Sequence, residues 1–259
     1  NAFLDSIPLV VITGQVATPL IGGDVFQEVD ITGITMPITK HNFLVKKPNQ
    51  LADIMRLAFK IAKSGRPGPV LVDIPRDVQT AAIDYQAQQP LPIVNEAPDR
   101  AALQKAVQLI SNAKRPVILI GGGAVNANVR TQIMQLVATT EIPFTCSLMG
   151  LSAVCGSDSR FLGMSGLHGH EAANKAIAAA DVLLAVGCRF NDRITGDKEK
   201  YAQDKTVIQL DIDHAEIDKN ISAGLGIVGD MQIALQYLCD NISYKPPTIW
   251  WDCISNWQQ

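Results

Sequence analysis

The sequence predicts an α/β fold: a doubly wound parallel sheet preceded by half of a second α/β domain. Three observations predict it. Short apolar runs such as Val117-Ile118-Leu119-Ile120 and Val182-Leu183-Leu184-Ala185-Val186 have no polar break, which suits strands buried on both faces of a parallel sheet. Stretches with apolar residues at helical spacing separate these runs. And Gly121-Gly122-Gly123 follows one strand directly and opens a helix, which places a ligand at the carboxyl end of a parallel strand.

In chain order, Pro8 to Thr13 reads as a strand closing on Gly14-Gln15. Val16 to Pro37 carries Gly22-Gly23 and mixed polarity, so it reads as a loop with one helical turn at most. Thr39 to Val45 is a second strand. Pro48-Asn49 opens a helix with Leu51, Ile54, Leu57/Ala58 and Ile61 on one stripe, ending at Ser64-Gly65. Pro69 to Ile74 is a third strand. Residues 1–81 therefore form the half-domain, with too few strands to close a sheet. Residues 82–98, rich in Gln and Pro and without periodicity, read as a linker.

The second domain is expected at 99–243. Asp99 caps a helix carrying Leu103, Val107 and Ile110. The glycine strand follows, then a helix from Val125 to Thr139 and a strand at Pro143 to Cys146. A loop rich in Gly, Ser and Met leads to a helix at Glu171 to Ala180. Strands at 182–186 and 206–210, a short helix from His214, a strand near Ile227-Val228 and a helix from Met231 complete it. Residues 244–259 read as the start of a connection.

Bulk properties narrow the function. The chain has 259 residues, 47% apolar and 18% charged, enough for one large or two ordinary domains with a substantial core. Net charge is −3 and the basic residues are scattered, which argues against nucleic acid as the partner. No apolar run approaches the roughly 18 residues of a membrane span. The five cysteines (Cys146, Cys155, Cys188, Cys239, Cys253) include no C-x-x-C pair and read as reduced core thiols of a cytoplasmic protein. Asn1 to Ile7 looks like the end of a helix entered partway, and the Trp-rich tail like a helix still running. Both ends are read as excision points in a longer chain.

Four strand ends carry groups suited to a ligand: Gly121-Gly122-Gly123, Ser147-Leu148-Met149, the run Gly187 to Arg193, and Asp211-Ile212-Asp213. In a doubly wound sheet these ends line one crevice. Glycines there admit close approach and leave amide N–H groups for an anion. Arg189 and Arg193 suit a pyrophosphate, and Asp211 a ribose hydroxyl or an amine; Arg189, Asp192 and Arg193 read equally as a surface ion-pair cluster. His168 and His170 form His-x-His without a nearby third metal ligand, so they read as loop histidines that pack or contact a ligand. His41 reads as a buried, hydrogen-bonded strand residue. Gln15, Gln27 and Glu28 cluster in or beside the glycine-bearing loop, where function is often carried.

Taken together, Thr13 to Val16, Gly22 to Glu28 (G-G-D-V-F-Q-E), Ile38 to Asn42 and Ser64 to Pro75 resemble the large catalytic subunit of acetohydroxyacid (acetolactate) synthase. So do Gly121 to Gly123, Leu162 to Met164, His168-Gly169, Arg189 to Arg193 with Thr195-Gly196, and Asp211 to Glu216. The resemblance covers nearly the whole chain in the right order. It implies a thiamine-diphosphate-dependent enzyme with three domains per subunit, of which this chain is the C-terminal half of the pyrimidine-binding domain and a Rossmann-like, FAD-binding middle domain. The implied FAD contacts are Arg66, Gly121, Gly122, Gly123, Ser147, Leu148, Met149, Gly166, His168, Gly187, Arg189, Asp192, Arg193, Asp211, Ile212, Glu216 and Asp230. Phe26 and Gln27 match residues lining the active site. The implied activity condenses pyruvate with pyruvate or 2-oxobutyrate, with loss of CO2, in branched-chain amino-acid synthesis. A homodimer or homotetramer and a small regulatory subunit are implied as well.

Three positions depart from the family pattern: Arg76 where Lys is usual, Leu167 where Met is usual, and Ser147 where Thr is common. The activating glutamate is expected upstream of Asn1, and the domain binding the diphosphate and Mg2+ beyond Gln259. This piece alone is therefore expected to be inactive, and its half-domain to expose a sheet edge that favours association. Glyoxylate carboligase, pyruvate oxidase and a flavin-free acetolactate synthase share the layout; G-G-D-V-F-Q-E, I-T-K-H-N and R-F-N-D-R-I-T-G favour the flavin-containing synthase. A free-standing nucleotide-binding module is the non-catalytic alternative.

Overall fold

Among residues 1–258, which this computed structural model describes, every strand pairing is parallel. The pairings fall into two sheets, and the chain into two compact units, Asn1–Asn95 and Glu96–Gln259.

The first unit holds strands β1 (Val10–Gln15), β2 (His41–Leu44) and β3 (Val70–Pro75), in the order β1-β3-β2. Helix α1 (Ile31–Thr35) lies between β1 and β2, α2 (Leu51–Lys63) between β2 and β3, and α3 (Arg76–Thr80) follows β3. Central β3 is buried along its whole length, whereas β1 is only half-buried. A small core of Val45, Ala58, Ala62, Val70, Val72, Ile74 and Val78 sits between the sheet and α2. His41, expected to be buried, is exposed: it opens an edge strand and meets Phe43 edge to face at 4.4 Å. Asn1 to Ile7 forms a single turn rather than a helix. Its bonds from Ile7 N to Ala2 O and from Ser6 N to Phe3 O, with left-handed Ser6, are those that close a helix C-terminus.

Residues 81–99 contain no helix or strand. The end of that segment packs into the second unit, where the Glu96 carbonyl accepts from the Asp230 amide at 2.8 Å. The second unit runs α4 (Arg100–Ser111), β4 (Pro116–Ile120), α5 (Gly122–Asn126), α6 (Arg130–Thr140), β5 (Phe144–Cys146), β6 (Phe161–Met164), α7 (Glu171–Ala179) and β7 (Val182–Val186). It continues with α8 (Asp192–Thr195), α9 (Lys198–Ala202), β8 (Thr206–Asp211), β9 (Leu225–Val228), α10 (Met231–Asn241) and α11 (Thr248–Gln258). Asp99 accepts from the Ala101 and Ala102 amides and starts α4, as the sequence indicates.

The strand order is β6-β5-β4-β7-β8-β9. The chain winds outward from β4 to β6, returns beside β4 as β7, and winds the other way to β9. Alternate residues serve two cores. Ile118 and Ile120 join Leu103, Ile133, Phe144, Leu184 and Leu235 on one face. Val117 and Leu119 join Ala173, Ile177, Leu183, Trp250 and Ile254 on the other. Burial of each such aliphatic side chain stabilises by about 1.5–3 kcal/mol. The Trp-rich stretch read as the start of a connection thus also walls this core, and Trp250 Nε1 donates to Pro116 O at 3.1 Å.

Two local expectations are corrected. The single helix over 125–139 is two, because Asn128 takes a left-handed conformation and ends the first. Strand β6 was not foreseen; it holds four residues and contains Gly163 at φ +88°. Of the cysteines, Cys146, Cys188 and Cys239 are buried free thiols, but Cys253 is exposed and Cys155 half-buried. No helix among the described residues is long and apolar enough to cross a membrane.

Candidate functional site

The order of the second sheet puts its switch point between β4 and β7, where a doubly wound sheet opens its ligand crevice. The loops there are locked to each other. Gly121 N donates to Val186 O at 2.8 Å, Gly123 N to Gly187 O at 3.0 Å, Ser147 N to Ile120 O at 2.9 Å, and Gly187 N to Leu210 O at 2.8 Å. These bonds extend the ladders past the strand ends. They also correct the expectation that the glycine amides stay free for an anion, since those of Gly121 and Gly123 are spent within the protein. The glycines are needed for close approach of backbone to backbone. A Cβ at Gly121 would strike the Gly187 carbonyl, one at Gly123 would lie 2.7 Å from Gly187 Cα, and Gly187 itself has φ +60°. Gly122, the first residue of α5, has an amide that the helix leaves without an acceptor.

Beside the glycines, Ser147 is buried while Leu148 and Met149 are exposed. At the end of β8, Asp211 is 6% exposed, and Oδ1 accepts from the Asp213 amide at 3.0 Å. Burial pushes its carboxyl up to about 6; the neighbouring carboxylates of Glu216 and Asp213 add to this, and the Asp213 amide opposes it. Glu216 is buried with Oε1 paired to Lys219 Nζ at 2.7 Å, and Ile212 is half-buried. Asp230 caps α10 through the Gln232 and Ile233 amides. Burial raises the Cys188 thiol to about 12 and the Cys146 thiol to about 11, so both stay protonated.

A second neighbourhood surrounds a cavity of about 390 Å³ lined by Gly166, Leu167, Asn174, Ile177, Asp192, Arg193, Thr195, Tyr201 and Lys205, among others. Gly166 has φ +107°, and a Cβ there would lie 2.5 Å from Arg193 O. Arg193 is exposed and pairs with Asp192 at 3.7 Å, so part of the surface ion-pair reading holds. Arg189 is half-buried, and its carbonyl accepts from Asn220 Nδ2 at 2.9 Å. His168 and His170 are both exposed; His170 Nδ1 accepts from the Met164 amide at 3.2 Å.

The remaining expected residues belong to the first unit. Arg66 is half-buried, with Nε donating to Ser6 Oγ at 2.9 Å. Phe26 is 88% exposed and Gln27 is left-handed at φ +66°. Arg76 is exposed at the start of α3.

The sequence reading missed two residues. Gln209, fully buried on β8, donates through Nε2 to Glu216 O at 2.9 Å and Cys188 O at 3.3 Å, holding the loops that carry Arg189 and Glu216. A glutamine inside the apolar run Val207-Ile208-Gln209-Leu210 was the available signal. Asn174 clasps Gly166: its Oδ1 accepts from the Gly166 amide at 2.8 Å and its Nδ2 donates to the Gly166 carbonyl at 3.0 Å. Nothing in the sequence near Asn174 marks it.

The second unit's donor set fits a dinucleotide such as FAD. A buried carboxylate suits a hydroxyl or amine, guanidinium groups suit phosphates, and side-chain-free backbone lines the switch point.

Comparison with known proteins finds relatives over most of the chain. The sequence profile of the thiamine pyrophosphate enzyme central domain matches residues 103–238. A probable acetolactate synthase large subunit of Methanocaldococcus jannaschii is 44% identical over 246 residues, spanning 92% of this chain and 42% of the relative. The acetolactate synthase isozyme 3 large subunit of Escherichia coli is 40% identical over 271 residues, 100% of this chain and 47% of the relative. The acetolactate synthase large subunit of Corynebacterium glutamicum is 43% identical over 244 residues, 93% of this chain and 39% of the relative. The chain spans less than half the length of these curated relatives.

Proposed function

The chain belongs to the thiamine pyrophosphate enzyme family, with its central domain at residues 103–238, and on that premise we propose that it is part of an acetolactate synthase large subunit. The whole enzyme joins pyruvate to pyruvate or 2-oxobutyrate and releases one CO2, a step of branched-chain amino-acid synthesis. Residues 1–81 are the C-terminal half of the pyrimidine-binding domain, 82–98 the linker, 99–243 the FAD-binding domain and 244–259 the start of a connection. Thiamine diphosphate with Mg2+, held by parts of the parent beyond this chain, supplies the electron sink for decarboxylation. The parent is a cytoplasmic homodimer or homotetramer with a small regulatory subunit.

The observation that carries the flavin part of this reading is the switch point between β4 and β7, flanked by the buried Asp211 carboxyl. The cofactor's diphosphate region is assigned to the switch point at Gly121, Gly122, Gly123 and Gly187, beside the Gly122 amide that its helix leaves without an acceptor. Ser147, Leu148 and Met149 cover one side, and Asp211, Ile212, Glu216 and Asp230 the other. Gly166, His168, Arg189, Asp192 and Arg193 complete the set. Phe26 and Gln27 line the place where the 2-oxo acids react, Phe26 excluding water and Gln27 offering an amide to a carbonyl or carboxylate.

A flavin titration tests the reading. Fluorescence quenching and thermal shift on the chain are expected to show saturable FAD binding, lost in Arg193→Ala, while the chain by itself makes no acetolactate. A folded chain and a full-length parent that both ignore FAD would refute the flavin assignment. Acetolactate formation by the isolated chain would refute the assignment of the missing groups.

A further inference from the structure

Phe26 and Gln27 sit at the tip of a loop whose conformation has no support from regular structure at that point. Gln27 takes φ +66°, a conformation set by the contacts that hold its loop, and Phe26 beside it is 88% exposed. Those contacts are few and specific. At the near end of the loop, the Asp77 carboxylate accepts from Thr18 N at 2.9 Å and Thr18 Oγ1 at 3.1 Å. Inside it, the Glu28 carboxylate accepts from the Gly22 amide and from the Val25 amide at 3.3 Å. The far end is held from across the loop by Gln15, the last residue of β1. Its Nε2 donates to Val29 O at 2.8 Å and to Asp73 Oδ2 at 3.1 Å, while Oε1 accepts from Val16 N at 2.9 Å. Asp73 is buried in the central strand, with its other oxygen accepting from Thr13 Oγ1 at 2.8 Å.

We propose that Gln15 is a positioning residue: its amide clamps the far end of the Phe26–Gln27 loop, through Val29, to the buried Asp73 carboxylate. The inference rests on the reading above, in which Phe26 and Gln27 line the reaction site. The side chain's chemistry matches the task. Both amide hydrogens are used, one on a loop carbonyl and one on a carboxylate, and its oxygen holds the amide of the next residue. A leucine offers neither donor. A glutamate keeps the acceptor, loses both donors and sets a second anion against Asp73.

The test uses the full-length enzyme carrying this chain. Gln15→Leu is expected to raise amide exchange over residues 22–29 by about tenfold or more, with β3 amides unchanged. It is also expected to lower kcat and shift the partition between pyruvate and 2-oxobutyrate as acceptors. The double variant Gln15→Glu/Asp73→Asn separates clamping from folding, because the new amide can donate to the new carboxylate but nothing donates to Val29 O. Its Tm is expected to return to the parent value while exchange, kcat and partition stay as in Gln15→Leu. Unchanged exchange in Gln15→Leu, or full kinetic recovery in the double variant, overturns the clamp. Loosened exchange with unaltered kinetics overturns the positioning role. Loosened exchange in an enzyme whose unmutated form makes no acetolactate upholds the clamp and sinks the synthase reading instead.

Discussion

Ile12 in the first sheet and Ile118 in the second both lie in mid-strand, paired in parallel, yet Ile12 is 59% exposed and Ile118 is 1% exposed. The difference is in what covers each strand. Strand β4 has neighbours on both edges and a core on each face, so all five of its residues are buried. Strand β1 pairs on one edge only, within a three-stranded sheet. The first unit therefore holds its long loop with side-chain hydrogen bonds, and the second buries its strands between two apolar cores.

Removing a wall of the second unit is expected to have the largest effect. Trp250→Ala leaves a cavity in a core beneath α7 and strips the Pro116 carbonyl of its side-chain donor. A loss of about 4 kcal/mol is expected, read from the urea midpoint of the chain. A loss below 1 kcal/mol would show that α11 is an ornament on this unit rather than part of its core.

Glycines give a matched pair. Gly121→Ala forces a methyl group into the Gly187 carbonyl, which is backbone and cannot swing aside. About 3 kcal/mol is expected, together with loss of flavin binding. Gly22→Ala in the first unit meets open space, so only the strain of φ +85° remains, about 1–2 kcal/mol. Equal costs at the two sites would erase the contrast between loop packing in one unit and loop conformation in the other.

The buried Asp211 carboxyl sets a pH-dependent test. Its folded value is raised from the ordinary 3.8 to about 6. Below about pH 4 it is neutral in both folded and unfolded states. Between there and about 6 the unfolded chain ionises while the folded one keeps its proton, so this group's contribution to stability is lost as pH rises. Above that the full cost of burying the charge remains. Asp211→Asn is therefore expected to stabilise the flavin-free chain at pH 7–8 by about 2 kcal/mol, with the gain fading as pH falls toward 4. The same variant is expected to bind FAD about tenfold more weakly, the loss of one hydrogen bond to an ionised group. A destabilised variant at pH 8 would mean that the carboxylate is better compensated than its surroundings indicate.

The same contrast explains what could be read from the sequence. Strands covered on both faces appear as apolar runs, unbroken in β4 and β7 and interrupted in β8 only by Gln209, so all three were legible to within a residue. Short β6 was not, because Gly163 gives up its side chain to make room for the His170 ring. His41 misled because a strand residue on an edge has the same local pattern as one inside. At the site, the strand-end glycines were legible as places of close approach, but not what approaches them: their partner is the backbone of the neighbouring loop. Gln209 and Gln15 act through loop carbonyls several residues away, and a single chain of letters does not display which carbonyl each amide will meet.

The smallest expected effect tests the open face directly. Ile12→Thr keeps a β-branched residue opposite Val72 and so keeps the strand preference. It removes apolar surface that the chain's own folding leaves largely in water, so stability should move by less than about 0.5 kcal/mol. Self-association should fall, because an uncovered apolar sheet face is a template for contact between copies. Light scattering across a concentration series reads that change. Ile118→Thr, the same chemistry on β4, places a hydroxyl in a packed core and is expected to cost several kcal/mol, as burial without a hydrogen-bond partner requires. If Ile12→Thr were as costly, the first sheet's face would have to be covered in the protein, and the contrast on which these predictions stand would fail at its root.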